Sequence, residues 1–298
     1  MATTTATAPT GAPKVAPKSA PAKKQSQGFT GIKSGLAVIA CCAVIAVLVY
    51  LFVFGQISNF KGGEGLAAFY VLLPADVSLE PANLMGTVYK GGFVVPLIWL
   101  QLFTVVALAI ERFFALRTAY GKKNLAKFVS EIKAALRSGD LKKANALCDE
   151  QKGSVANVVG ATLRKYAEME ANTELNKDQK VLAIQKELEE STALEMPTMQ
   201  ENLPIIGTIV TLGTLTGLFG TVLGMIRSFS AMGGGEGGAD SSALATGISE
   251  ALVNTASGIA TGALAVIAYN YFTNKIDRLT FALDEVGFSI VQTFNSTH

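Results

Sequence analysis

Histidine is nearly missing from this sequence: of 298 residues the single one is His298. A histidine-based metal site or a Ser/His/Asp triad has almost nothing to be built from, and most hydrolytic enzyme classes drop out with them. Cysteine is scarce as well. Cys41 and Cys42 stand side by side in an apolar run, and Cys148 lies far away in a charged segment. That spacing gives neither a disulfide framework nor a metal-ligand set, so all three read as packing residues. No metal, cofactor or catalytic residue is expected. Charge is thin, 16% of residues against 50% hydrophobic, and the net charge is only +2. No Lys/Arg stripe is interleaved with aromatics, which removes nucleic acid as a partner. With a mean hydropathy of +0.38, the chain is too apolar for an ordinary soluble domain. Its expected surroundings are a lipid bilayer.

Four apolar stretches carry that expectation. Residues 1–34 form a Thr/Ala/Pro/Lys leader with Lys14, Lys18, Lys23 and Lys24, and are expected to be a disordered basic tail. Residues 35–55 hold an uncharged run about as long as the ~20 residues that cross a hydrocarbon core. A cleavable signal peptide is the rival reading. It fits less well, because the run exceeds the roughly 7–15 residues of a signal core and no A-x-A site follows. Val38-Ile39-Ala40-Cys41 loosely resembles a lipoprotein cleavage site, but apolar residues continue well beyond Cys41. Residues 56–92, with Lys61-Gly62-Gly63-Glu64-Gly65, Pro74 and Pro81, read as an irregular loop holding one short helix near Leu66 to Leu73. The second span is 93–111, with Pro96 in its first turn, where a missing N–H does least harm. Glu111, Arg112 and Arg117 follow as its basic boundary.

Residues 112–202 read as a soluble helical region. Leu125, Phe128, Val129, Ile132, Ala135 and Leu136 recur at steps of three and four, the mark of a one-sided helix. Ser138-Gly139-Asp140 breaks it, and Asp140 is placed to cap the next helix. Val181, Ile184, Leu188 and Leu194 mark a long helix running towards Pro197 and Pro204. Residues 203–228 form the third span, 229–247 a glycine-rich loop, 248–272 the fourth span and 273–298 an amphipathic terminal helix. Basic residues flank the first span's start, the second span's end and the fourth span's end. The loop after the third span carries Glu236 and Asp240 with no Lys or Arg. The Lys/Arg rule then puts both termini and 112–202 in the cytoplasm, with the 56–92 and 229–247 loops outside. The expected fold is an all-α integral membrane protein: four transmembrane helices, a cytoplasmic helical domain, and long helices extending from the membrane.

The third and fourth spans carry polar residues at helical spacing. At about 100° per residue, Thr211, Thr214, Thr221 and Ser228 share one arc of the third span. Gly213, Gly217, Gly220 and Gly224 share the adjoining face. On the fourth span Glu250, Asn254, Ser257 and Thr261 stack at steps of four, three and four, with Thr255, Gly258 and Gly262 beside them. Glycines so spaced let two helices approach closely, which in lipid replaces the hydrophobic driving force. One hydroxyl in a membrane helix usually bonds back to its own carbonyls. Two parallel hydroxyl stripes with an intramembrane carboxylate point instead to an ion or proton path, since a hydroxyl both donates and accepts. Glu250 is the only carboxylate in the four spans proper, Glu111 standing at the very end of the second, and it lies near the outer end of its helix. Three roles stay open for it: an entry residue, an interfacial partner of Arg227, or a solvated end charge. With no carboxylate at mid-membrane, a proton path here needs a carrier from a second polypeptide.

These segments resemble the ExbB/TolQ/MotA family of proton-channel proteins, and the ExbB/TolQ branch most. The resemblance rests on Leu218-Phe219-Gly220-Thr221-Val222-Leu223-Gly224-Met225-Ile226 with Phe229. It continues through Gly247-Ile248-Ser249-Glu250-Ala251-Leu252-Val253-Asn254-Thr255-Ala256-Ser257-Gly258 and Tyr269-Asn270. It implies a pentameric inner-membrane homo-oligomer whose third and fourth spans line a pore, with Thr221 and Thr255 at pore-lining positions and Glu250 at the family's acidic position. It further implies a single-span ExbD/TolR-like partner whose membrane aspartate carries protons, and a TonB/TolA-like force transducer. The process energised is expected to be outer-membrane transport, with envelope maintenance and motility as alternatives. From other classes, a structural membrane scaffold and a solute carrier remain rivals, the carrier weakened by the lack of a visible inverted repeat. Two departures stand out: Thr214 occupies a position where the family often has proline, and the 35–55 span has no counterpart in the three-span ExbB pattern.

Overall fold

A computed structural model describes residues 35–61, 80–233 and 241–297. The leader, the short helix expected near Leu66 to Leu73, residues 234–240 and His298 lie outside those residues; the rest of the expected 229–247 loop is helical, in the end of the third-span helix and the start of the fourth. Nine helices make up the described chain: α1 (Gly35–Val49), α2 (Leu84–Lys90), α3 (Val94–Tyr120), α4 (Leu125–Arg137), α5 (Leu141–Gln151), α6 (Gly153–Ala171), α7 (Lys177–Gln200), α8 (Leu203–Gly233) and α9 (Ser241–Thr297). Among the described residues there is no strand, only an isolated bridge between Phe60 and Pro81. Among the described residues four helices are long and apolar enough to cross a membrane. The protein is an all-α integral membrane protein.

The first span is apolar on every side, and packing selects one narrow stripe of it. Cys42, Ala46, Tyr50 and Phe54, each four residues apart, are buried, as expected for side chains stacked along one helix face. The last turn, Tyr50–Phe54, is wound as a π-helix, and the Tyr50 ring stacks on Tyr89 at 4.7 Å between centroids. The second span does not stop at residue 111. Helix α3 runs on to Tyr120 because Glu111 and Arg112 are buried rather than solvated. It ends at Gly121, whose φ of 80° favours glycine and where a side chain would strike the carbonyls of Gln151 and Lys152.

Beyond the spans, α4 to α7 and the distal part of α9 form a basal bundle. The Leu125–Arg137 helix turns Phe128, Val129, Ile132, Ala135 and Leu136 inward, the face its spacing predicts. Asp140 then caps α5, accepting from the Lys143 N–H at 2.9 Å. Asn176 and Gln179 form a capping box at the start of α7. Of the apolar marks on α7, Ile184 is fully buried and Leu188 packs against the core, while Leu194 is exposed. Burial pushes the Cys148 thiol up to about 12, which suits a packing residue. The expected division at 272/273 is absent: α9 is one helix of 57 residues. Hydropathy changes at that point, but no glycine or proline falls between Gly262 and Gly287, so nothing interrupts the helical hydrogen bonds.

Candidate ion pathway between the third and fourth spans

Helices α8 and α9 form an antiparallel hairpin whose contact face is nearly bare of side chains. A methyl group on Gly217 would stand 3.0 Å from the Asn254 carbonyl oxygen, and one on Gly258 would stand 2.6 Å from that of Gly213. Gly213 faces the Gly262 backbone, Gly220 faces the Asn254 side chain, and Gly224 faces Ala251. The backbones therefore meet directly, and van der Waals contact holds the hairpin.

At one edge of this seam the Thr221 and Thr255 hydroxyls hydrogen-bond to each other. Both also lie within reach of the Gly217 carbonyl, Thr255 at 3.1 Å and Thr221 at 3.3 Å. Each hydroxyl has one proton, so one threonine donates to the carbonyl while the other donates to its partner. Rotating both hydroxyls reverses the direction. Thr221 lines an open groove with Leu218, Val222, Met225, Ile226 and Phe229, about 620 Å³ in volume. Thr214 is exposed on the same side of α8, with its hydroxyl against Gly262. Thr211 is exposed and donates to the Thr208 carbonyl at 3.2 Å.

The other polar stripe of α9 turns away from that groove, into the subunit. Asn254 is buried and donates to the Gly91 carbonyl at 3.1 Å, in the turn between α2 and α3. Thr261 is buried and donates back to the Ser257 carbonyl at 2.9 Å, with Ser257 half-buried. Glu250, half-buried at the start of this stripe, feels the charges of Lys90 and Arg227. Among the described residues no ion pair joins it to Arg227, whose guanidinium lies over Gly92 instead. The polar positions thus divide. Thr221 and Thr255 meet on the groove side with Thr214 near them; Glu250, Asn254, Ser257 and Thr261 face inward.

Helix α3 adds polar residues that the sequence reading passed over. Gln101 is buried and donates to the Thr216 hydroxyl at 2.9 Å, and Thr104 is buried one turn further on. Arg112, fully buried, grips the Glu111 carboxylate with Nε at 2.6 Å and donates to the carbonyls of Thr198 and Met199 at 3.1 and 3.3 Å. The carbonyls are those of the last turn of α7, where a cation satisfies groups that the helix leaves open. Gln101, Thr104, Leu108 and Glu111 fall at steps of three, four and three, a one-face pattern legible in the second span.

Residues 154–285, from α6 well into α9, match the family described as the MotA/TolQ/ExbB proton channel family. Over that stretch the chain is similar to that family. An ExbB-like biopolymer transport protein of Synechocystis sp. is 40% identical over 86 residues, 28% of this chain and 41% of the relative. The Tol-Pal system protein TolQ of Pseudomonas aeruginosa is 24% identical over 205 residues, 67% of this chain and 87% of the relative. The TolQ of Haemophilus influenzae is 33% identical over 85 residues, 28% of this chain and 37% of the relative. The chain therefore spans well under half of the Synechocystis and Haemophilus relatives and most of the Pseudomonas one. The names these relatives carry, ExbB-like and TolQ, are those of the ExbB/TolQ side of that family.

Proposed function

We propose that this protein is the stationary channel subunit of an ExbB/TolQ-type motor, which converts the proton motive force into mechanical work and has no enzymatic activity of its own. The observation that carries the reading is the Thr221–Thr255 hydroxyl pair, held at the α8/α9 seam, with Thr221 on a groove whose other lining is apolar except for Ser230. A hydroxyl pair that can reverse its donor direction passes hydrogen bonding along without holding charge. The titrating carboxylate then comes from a single-span ExbD/TolR-like partner whose membrane aspartate travels past the groove. Subunits assemble as a pentamer in the inner membrane, with both termini cytoplasmic and the basal bundle on the cytoplasmic side. A TonB/TolA-like transducer receives the force, and outer-membrane transport is the process energised. Each proton crossing releases about 2.3 kcal/mol per 100 mV, comparable to the few kcal/mol between packed conformational states.

The test is the pair Thr221→Val and Thr255→Val, which keep side-chain volume and remove the hydroxyls. Proton-driven uptake should fall at least tenfold while the oligomer and its partner still copurify. Undiminished uptake with normal assembly would leave the threonines as packing residues and the protein as a scaffold.

A further inference from the structure

The basic end of the α3/α9 pair carries a cluster that the proposed pathway does not use. Lys275 stands with its Nζ 5.8 Å from the centre of the Tyr120 ring on α3 and 5.7 Å from that of Tyr271 on its own helix. Both lie within cation–π range. The Tyr120 hydroxyl donates to the Lys275 carbonyl at 2.9 Å and ties the end of α3 to α9. Arg278, exposed and one turn further on, is near enough for its charge to act on the Tyr120 phenol. Arg117, one turn before Tyr120, is exposed as well.

Among the described residues no carboxylate forms an ion pair with any of these three cations. Asp277 lies between two of them in sequence, but sits about 160° around the helix from Lys275 and about 100° from Arg278. Two exposed apolar ribs run into the cluster. One is Leu264, Ile267 and Tyr271 on α9, at steps of three and four; the other is Ile110 and Phe114 on α3. Apolar ribs that end in unpaired cations and half-exposed tyrosine at the limit of two spans match the chemistry of a lipid: acyl chains, then a negative headgroup.

We propose that this cluster binds the phosphate headgroup of an anionic lipid, with Lys275 and Arg278 holding the phosphate, Tyr271 at its rim and the acyl chains along the two ribs. Arginine offers a paired-donor fork to phosphate and lysine a point charge, so the two act together. A zwitterionic headgroup carries its own cation and gains less from them. The bound lipid seals the α3/α9 junction where the apolar spans give way to the basal bundle.

The experiment is native mass spectrometry of the full chain in neutral detergent, titrated with phosphatidylglycerol or phosphatidylcholine. Phosphatidylglycerol should be retained in preference. Each cation removed should weaken its binding roughly fivefold, and Lys275→Gln with Arg278→Gln together about 25-fold. Tyr271→Phe, which keeps the ring, should cost about threefold. The comparison of lipids on the unmodified protein stands even if the double variant fails to fold. Equal retention of both lipids overturns the proposal, as does undiminished binding by a folded double variant. Displacement of the lipid by inorganic phosphate at matched ionic strength makes this a free-phosphate site and overturns the lipid claim. Loss of oligomer mass in place of lipid selectivity assigns the patch to a second copy of the chain and overturns it too.

Discussion

The α8/α9 hairpin and the basal bundle are both helix packed on helix, yet opposite features hold them together. In the bundle, large side chains interlock: Phe128, Ile132, Leu163, Ile184, Leu279, Leu283 and Phe294 are all essentially inaccessible. In the hairpin the contact is made where side chains are missing, at Gly213, Gly217, Gly258 and Gly262. Water drives the first arrangement, because burying apolar surface stabilises it. Lipid offers no such drive, so the hairpin gains its stability from backbone proximity. Bulk therefore changes sign between them: removing it damages the bundle, and adding it damages the hairpin.

The largest effect is expected where the two regions join. Arg112→Met removes the guanidinium from the buried Glu111 carboxylate and frees the last carbonyls of α7, which should cost about 3–5 kcal/mol in denaturant unfolding in detergent. Replacing both partners, Glu111→Leu with Arg112→Met, should recover most of that loss. Next comes the bundle alone. Ile132→Ala should destabilise by about 3 kcal/mol, while a disulfide engineered across the α8/α9 seam still forms at its normal rate. The smallest effect gives the sharpest contrast, because it applies one substitution to both regions. Gly258→Ala puts a methyl group 2.6 Å from the Gly213 carbonyl and should cost about 1–3 kcal/mol. Gly160→Ala in α6 meets nothing nearer than 3.5 Å and should stabilise by about 0.5–1 kcal/mol through the better helix former. Equal signs for the two, measured by thermal unfolding, would dissolve the distinction.

Much of this was legible in the sequence where the determinants are local. The inward face of α4 follows from the spacing of Phe128, Ile132 and Leu136, and the break at Ser138-Gly139-Asp140 from its turn and cap chemistry. The four spans follow from length and composition. What periodicity does not supply is the identity of the neighbour. The angle between Thr255 and Asn254 can be read from a helical wheel. That Asn254 meets the Gly91 carbonyl, 163 positions away, cannot. Glu250 and its stripe face inward for that reason. Likewise Glu111 and Arg112 read as the solvated boundary of a span, because charge next to an apolar run usually meets water. Their mutual ion pair and the carbonyls of Thr198 and Met199, brought in by α7, satisfy Arg112 there. The polarity of the segment after 272 reads as a boundary of the fourth span, although polarity alone does not end a helix.

That undivided helix has a mechanical meaning. At about 1.5 Å per residue, the 57 residues of α9 make a rod roughly 85 Å long, with Thr255 near one end and Ile290 set in the bundle at the other. A hinge would let the two ends move separately, and this rod has neither proline nor glycine through the stretch where span gives way to bundle. A tilt of a few degrees beside the threonine pair therefore arrives at the far end as a displacement of several ångströms. As a lever arm, such a helix would carry movement at the groove to the bundle without a signal having to pass from side chain to side chain.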